Sequence, residues 1–245
     1  MSLKPHNIAM NGKLLLALLV AIVTLPVISL LFLLSEPGAS RLNSTEASLE
    51  IDIPRLGGLA QESGLKRLDA GECVQCDLSH ADLSQRDLSR ADLQSADLSH
   101  ANLSQTIFIN AILSQATLNE TNLAKANLRG ADLIEASIDA ATFDDAQLLQ
   151  ISLTDARIDG ASFQQVDLRD ADLSATAIQN SDFSGSTLYG AVLREANLSN
   201  VDFSGADLRY VDFSNAVLEN VNFEGAKLEF AILPDGTGYH GVAPY

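Results

Sequence analysis

The stretch that decides the fold runs from Cys76 to Ser104 and reads CDLSHADLSQRDLSRADLQSADLSHANLS. A large apolar residue returns every five residues within it, and the same spacing continues to Leu233. Counted from Leu68, 33 of the 34 positions with this spacing hold Leu, Ile or Phe, and Cys73 is the exception. Two residues before each large position lies a smaller residue, which is Ala in 20 of 33 cases. The chain therefore has two inward-facing series, one large and one small.

A period of five fits neither a helix, with 3.6 residues per turn, nor a strand, with a period of 2.0. It fits a solenoid in which five residues form one side of a square and four sides close a coil. Like residues also recur with a step of 20, namely Phe143, Phe163, Phe183, Phe203 and Phe223. Coils about 4.8 Å apart would stack these rings, so we predict an all-β solenoid of about eight coils with a structural phenylalanine column in its core.

Residues 81–103, ADLSQRDLSRADLQSADLSHANL, resemble the pentapeptide repeat family, whose consensus is A(D/N)LXX. The resemblance covers residues 66–233. It implies a right-handed quadrilateral β-helix in which the large and small positions point inward and the other three positions of each repeat face solvent. It implies no single biochemical activity, so the function must be sought among the outward-facing side chains.

The N-terminal part predicts a membrane anchor. Residues 14–34 contain no charged side chain. A segment of this length is long enough for one transmembrane helix. A cleaved secretory signal is the alternative, although its apolar region is usually only about 7–15 residues long. Because Lys4 and Lys13 precede the span, we expect residues 1–13 to form a cytoplasmic tail. The repeats would then lie in the periplasm or in a thylakoid lumen.

Two segments flank the repeats. Residues 35–65 are predicted to be a linker and N-terminal cap, because their second half contains enough Leu to cover the open first coil. The only cysteines, Cys73 and Cys76, follow at a large and a small inward position. We interpret them as structural packing residues of the cap, and a disulfide or a redox pair is the alternative. Residues 234–245 no longer follow the five-residue spacing and include a turn signal. We predict that they form a C-terminal tail or cap.

The repeats are strongly acidic. Residues 66–233 contain 11 Lys and Arg against 26 Asp and Glu, a net charge of −15. This excludes nucleic acid as a partner, because binding phosphates requires a basic surface. One interpretation is that the acidity imitates DNA, as the gyrase-protecting pentapeptide repeat proteins are understood to do. The other is that Asp or Asn before each large residue hydrogen-bonds the backbone of a turn.

Residues 20 apart should share one outward column. One such column ends with aromatic and arginine side chains, which together are typical of protein interfaces. Three isoleucines add apolar surface closer to the N-terminus. We therefore predict a protein-docking surface formed by Ile107, Ile109, Ile112, Arg169, Tyr189, Arg209, Tyr210 and Phe230. A second column, His80, His100 and Glu120, is a weaker candidate for a metal or pH-responsive site.

Two small inward positions hold unusual residues. Arg86 stands where Ala is usual, and a buried unpaired guanidinium would be costly. We expect its side chain to turn outward or to reach an acidic partner such as Asp87 or Asp69. Ile151 exceeds the usual size of its position and is expected to bulge that face.

Motifs for catalysis do not occur in the sequence: it has no Gly-rich phosphate loop, no G-x-S-x-G and no H-E-x-x-H. We therefore expect a protein that is not an enzyme and has no cofactor and no small-molecule substrate. The predicted function is a rigid scaffold or docking surface for another protein, tethered to the membrane through residues 14–34. The alternatives are an acidic DNA mimic that modulates an enzyme such as gyrase, and a metal- or pH-responsive surface protein.

Overall fold

The repeats form a parallel β-solenoid. Parallel backbone bridges join residues 20 apart, so each bridge connects one coil to the next. They begin with Asp77 and Asp97 and continue to Asp212 and Ile232. Five bridged segments are long enough to form strands in a parallel sheet of order β1-β2-β3-β4-β5. These are β1 (Ser137–Asp139), β2 (Arg157–Asp159), β3 (Ala177–Gln179), β4 (Asn197–Ser199) and β5 (Val217–Glu219). The pairing confirms the predicted 20-residue repeat.

The computed structural model describes residues 53–71 and 73–239, and the side chains from residue 61 onward in these ranges. The predicted cytoplasmic tail (1–13), anchor helix (14–34) and most of the linker lie outside the described residues. Within the described ranges, no helix is both long and apolar enough to cross a membrane.

Each coil has four faces, one for every five-residue repeat. Numbered in chain order, the first face begins at residues 76–80, the second at 81–85, the third at 86–90 and the fourth at 91–95. Each face continues in steps of 20 residues, as the bridges show. Strands β1 to β5 all lie on the first face.

The interior is filled by the two inward series. Phe143, Phe163 and Phe183 are fully buried, and their ring centroids lie 4.5 Å apart in nearly parallel planes. The column continues to Phe203 at 5.2 Å and to the partly buried Phe223 at 5.8 Å. The predicted stack of phenylalanine rings is confirmed. In the coils before Phe143, leucines occupy the same column, namely Leu83, Leu103 and Leu123.

Ile151 does not bulge its face, so that prediction was wrong. Its side chain is buried, and the neighbouring ladder bonds have ordinary lengths, 3.0 Å from Ser152 N to Ala131 O and 2.9 Å from Asp172 N to Ile151 O. The positions one coil before and one coil after Ile151 are Ala131 and Ala171. Two small neighbours leave room for one larger side chain.

Every repeat that ends between Gln75 and Phe230 closes with a turn whose last residue has a positive φ. The described chain has 26 such residues that are not glycine. This left-handed region costs a residue with a side chain about 1–3 kcal/mol, and it persists only where the surrounding structure enforces it. Here the next coil enforces it, because the turn residue donates its backbone N–H across the ladder, as His80 does to Ser99 O at 2.8 Å.

Aspartate and asparagine before the large residues stabilise the same turns. Asp77 Oδ1 accepts the backbone N–H of Ser79 at 3.1 Å, and Asp212 Oδ1 accepts that of Ser214 at 2.9 Å. Asn102 and Asn222 accept equivalent bonds from Ser104 and Glu224. Much of the acidity of the repeats is therefore structural.

A helix, α1 (Ile53–Asp69), covers the first coil. It extends four residues beyond the predicted boundary at residue 66, so Leu68 belongs to the helix and not to a coil. The error arose because Leu68 lies by coincidence five residues before Cys73, whereas Leu65 and Leu68 follow the helical spacing. Leu68 is buried and Leu65 packs against the core. Arg86 binds Asp69 at the end of α1, as expected.

Gly64 allows α1 to approach the first coil closely. A Cβ atom added to Gly64 would lie 2.1 Å from the carbonyl oxygen of Asp77, so no other residue fits without a shift. Cys73 and Cys76 are buried beneath the helix and are joined by a disulfide. The two cysteines are thus packing residues and a disulfide at once.

The last coil is followed by a short hairpin. Gly236, with φ of +80°, forms a turn in which Leu233 N donates to Thr237 O at 2.7 Å. Ile232 then pairs antiparallel with Gly238, and Tyr239 packs against the core. Residues 240–245 of the predicted tail lie outside the described residues.

Candidate protein-docking surface

The third face holds most of the predicted docking residues. Its ladder runs without interruption from Asp87 through Ile107 to Asp207 and Lys227, in steps of 20 residues. Ile107, Ile109, Arg169, Tyr189, Arg209, Tyr210 and Phe230 all lie on this face. Ile112 is exposed on the fourth face and is therefore separated from the others by a corner.

The third face differs from the other three in charge. It carries six basic residues, Arg86, Arg90, Arg129, Arg169, Arg209 and Lys227, and five acidic ones, Asp87, Asp167, Asp170, Asp207 and Glu229. Each of the other faces carries a single basic residue, which is Arg157 on the first, Lys125 on the second and Arg194 on the fourth. Acidic residues outnumber basic ones there by at least five on every face. The net negative charge of the rod is therefore confined to three sides.

Three aromatic side chains form a continuous exposed cluster at the C-terminal end of the third face. The ring centroids of Tyr189 and Tyr210 lie 5.1 Å apart, and those of Tyr210 and Phe230 lie 4.8 Å apart in nearly parallel planes. Their exposed fractions are 39% for Tyr189, 48% for Tyr210 and 68% for Phe230. The Arg209 guanidinium carbon lies 5.4 Å from the Tyr189 ring centroid, within cation–π range.

Tyr210 and Phe230 occupy positions that disfavour large side chains. Both are turn residues with positive φ, 62° and 65°. Bulky residues are rare in this region, whereas Asn and Gly adopt it more readily. Other coils of the same column hold small residues in this region, Asn110 and Gly190, and also two long unbranched side chains, Arg90 and Gln150. An exposed ring at such a position does not help the fold, which favours a role in binding.

Two arginines of this face are fixed by aspartates two residues earlier. Arg209 donates through Nε and Nη2 to the two carboxylate oxygens of Asp207, at 2.8 and 2.6 Å. Arg169 makes the same pair with Asp167, at 2.8 and 2.7 Å. In each case the bonded guanidinium lowers the pKa of the aspartate carboxyl. These arginines are rigid, so they present a defined surface to a partner.

Two other arginines of the face are available for a partner. Arg90 and Arg129 are exposed, and neither forms an ion pair with any residue in 53–71 or 73–239. Ile109 lies between them along the face and is half-buried, as is Ile107 beside it. The N-terminal half of the third face is therefore apolar with free positive charge, and the C-terminal half is aromatic.

The His80, His100 and Glu120 column is also formed. The two imidazole rings stack with centroids 4.7 Å apart, and His100 Nδ1 lies 3.3 Å from Glu120 Oε2. Among the described residues, no group of three or more His, Cys, Asp or Glu side chains has a geometry that could hold a metal ion.

The acidic faces consist largely of side chains that bond to their own turns. Hydrogen bonds from Ser84 lower the pKa of Asp82 on the second face. For Asp212, burial opposes ionisation, but bonds from Ser214 and Arg194 outweigh it and the pKa is lowered. These carboxylates are ionised at neutral pH and hold the turns together.

The sequence reasoning found the aromatic cluster and the arginines Arg169 and Arg209 beside it, but it missed Arg90 and Lys227. These two residues look ordinary in a chain read linearly. Sorting the charges by face would have shown that basic residues gather on one side. The energetic cost of an aromatic residue at a positive φ could also not be seen in the sequence, because it depends on the backbone angles.

Two models of one family match the chain. "Pentapeptide repeats (8 copies)" matches residues 72–110, 111–148 and 136–174, and "Pentapeptide repeat region" matches residues 156–232. The comparison with curated proteins gave no match.

Solved structures to which the chain is similar include those of three proteins. HetL, involved in heterocyst differentiation regulation in the cyanobacterium Nostoc sp. strain PCC 7120, is 26% identical, with 71% of this chain and 97% of HetL covered and a TM-score of 0.34. QnrB1, a plasmid-mediated fluoroquinolone resistance protein, is 18% identical, with 60% of this chain and 86% of QnrB1 covered and a TM-score of 0.40. A pentapeptide repeat protein from the Arabidopsis thaliana thylakoid lumen is 24% identical, with 55% of this chain and 66% of that protein covered and a TM-score of 0.23.

The two family models together extend from residue 72 to residue 232, and the ladder has the 20-residue step that four such repeats require. The chain belongs to the pentapeptide repeat family.

Proposed function

We propose that this protein is a non-enzymatic scaffold whose third face docks a protein partner. The exposed cluster of Tyr189, Tyr210 and Phe230 carries the proposal. Aromatic and arginine side chains contribute most of the binding energy in protein interfaces. Their position on the one face that is not acidic would let a partner approach without electrostatic repulsion.

We further propose that the scaffold is a right-handed rod of about eight coils, tethered through residues 14–34 with the rod outside the cytoplasm. The uncharged length of residues 14–34 and the two preceding lysines support the tether. The disulfide between Cys73 and Cys76 supports an oxidising compartment, where such bonds persist. The periplasm and a thylakoid lumen both have this property. An alkaline phosphatase reporter fused after Tyr245 should be active, and an inactive reporter would place the rod in the cytoplasm.

The docking function is tested by removing the rings without weakening the fold. Tyr210→Asn and Phe230→Asn replace each ring with a residue that tolerates the positive φ. Chemical crosslinking of the full chain in its native membranes, followed by mass spectrometry, should give a protein adduct with the wild type. The double variant should lose most of that adduct.

Ile112→Asn is the matched control, because it removes an exposed apolar side chain from the fourth face. We expect the control to retain the adduct. An adduct that survives in the double variant, or that disappears equally in the control, would contradict docking by the third face.

A supercoiling assay with purified gyrase distinguishes the docking scaffold from the alternative function, an acidic DNA mimic. Since three faces owe much of their charge to turn aspartates, we expect no inhibition and no drug protection at micromolar protein. Clear inhibition at that concentration would favour the mimic.

A further inference from the structure

We propose that the partner of the third face is a second copy of this chain, bound face to face with the two rods antiparallel. The inference rests on the proposed docking function and names its partner. It follows from how the unpaired arginines and the aromatic rings are distributed along the face, because reversing one copy brings the two groups together.

A two-fold axis through the middle of the face defines the pairing. Columns on the third face run from residues 87–90 to residues 227–230 in steps of 20. Full overlap of two reversed copies therefore places residue 129 opposite residue 189, and the first rung opposite the last. No other alignment of two reversed copies covers the whole face of both.

This pairing brings the free arginines of one copy to the rings of the other. Arg129 comes to lie opposite Tyr189, and Arg90 lies opposite Phe230 with Glu229 beside it. An arginine packed against an aromatic ring and an arginine next to a glutamate are both favourable at an interface. The arginines without a partner in the described chain thus each obtain one, and each does so twice because the interface is two-fold symmetric.

The remaining charges of the face do not repel each other in this pairing. Asp87 of one copy comes opposite Lys227 of the other, and no position in the three outward columns meets a charge of its own sign. A parallel arrangement would instead oppose the two outer columns of the same rung, so that Arg129 would face Asn127 and would not reach the ring of Tyr189. The other three faces cannot form this contact, because each has a net charge of −5 or lower.

The size of the face suits a modest dimer. Eight rungs spaced by about 4.8 Å and a width of about five residues give a contact of roughly 600 Å² per copy. The total, roughly 1,200 Å², lies at the lower end of stable protein interfaces. The contact does not use the two ends of the rod, which α1 and the C-terminal hairpin cover.

The first experiment tests the pairing by disulfide crosslinking of full-length chains carrying two different tags. Arg129→Cys on one chain and Tyr189→Cys on the other should form a mixed disulfide on mild oxidation in native membranes. Arg129→Cys with itself should not, because those positions lie three rungs apart in the antiparallel dimer. The matched control on the second face is Ala124→Cys with Ser184→Cys, which has the same rung separation and should give no crosslink.

The second experiment uses charge exchange in the purified full-length chain in detergent. Arg90→Glu alone and Glu229→Arg alone each place like charges together, and should raise the dimer dissociation constant about three- to tenfold. The double variant restores opposite charges and should return to within about threefold of the wild type. Sedimentation velocity measures both values.

Three results would overturn the dimer. These are a monomer at every concentration, an Arg129→Cys self-crosslink as strong as the mixed one, or single and double charge variants that behave alike. The proposed docking function fails separately. If the chain is a monomer but a different protein is crosslinked in native membranes and lost with Tyr210→Asn and Phe230→Asn, the inference fails and the docking function stands.

Discussion

Two stacks of aromatic rings run along the same rod, one inside and one outside. Phe143, Phe163 and Phe183 stack 4.5 Å apart in the core, and Tyr210 and Phe230 stack 4.8 Å apart on the third face. The parallel ladder sets the spacing of both, since it places residue n+20 directly above residue n. The stacks differ in exposure, because the inner rings are fully buried and Phe230 is 68% exposed.

The difference separates stability from recognition. Burial of a whole phenylalanine side chain stabilises by about 1.5–3 kcal/mol from transfer out of water. An exposed ring gains only the smaller stacking term, about 0.5–1.5 kcal/mol. Tyr210 and Phe230 also incur the cost of positive φ, so they contribute little to folding. Four sets of variants, in order of decreasing effect on stability, test this contrast.

The largest effect is expected from the inner stack. Phe183→Ala should lower the free energy of unfolding by about 3–5 kcal/mol, because it leaves a cavity in the ring column. Phe183→Leu should cost less than about 1.5 kcal/mol, since Leu123 already fills this column three coils earlier. Denaturant titration monitored by circular dichroism measures both. An Ala variant that loses less than 1 kcal/mol would show that the column is not the core.

An outward-facing residue that nevertheless stabilises the fold sharpens the contrast. Asp212 is buried, accepts bonds from Ser214 N and Oγ, and pairs with Arg194 at 2.6 Å. Asp212→Ala should cost about 1–3 kcal/mol, because these donors lose a charged acceptor. Asp212→Asn keeps one acceptor oxygen, as Asn222 does naturally, and should cost less. Equal losses in both variants would mean that the turn bond contributes nothing.

The cost of positive φ can be measured apart from any contact. Gly205 has φ of +66°, and a Cβ atom added there would meet no atom within 4 Å. Gly205→Ala should therefore cost about 1 kcal/mol from backbone strain alone. Gly205→Asn should cost less, because Asn tolerates the left-handed region. If Ala costs nothing, the argument that Tyr210 and Phe230 are retained for binding loses its support.

Much of the fold could be predicted from the sequence because one spacing repeats over most of the chain. The 20-residue step of the phenylalanines fixed the coil, and the turn role of residues such as Asp82 followed from their chemistry. Helix α1 was missed because Gly57, Gly58 and Gly64 weaken its helical signal. Gly64 is there for the close approach to Asp77, a tertiary requirement that a linear pattern does not reveal.

The candidate site was predicted only in part, for a related reason. The aromatic residues are rare in the chain and are visible at once. The separation of charge between faces depends on which repeats share a side, and it emerges only after the coil closes. Ile112 was grouped with Ile107 and Ile109 by proximity in sequence, although a corner of the coil places it on another face.

The most direct test of the contrast between the stacks is the free energy of unfolding of the Tyr210→Asn, Phe230→Asn double variant. The account predicts a value within about 1 kcal/mol of the wild type, because the lost stacking is offset by relief of the positive φ. A loss of 3 kcal/mol or more, comparable to that of Phe183→Ala, would contradict it, since the outer rings would then be part of the fold.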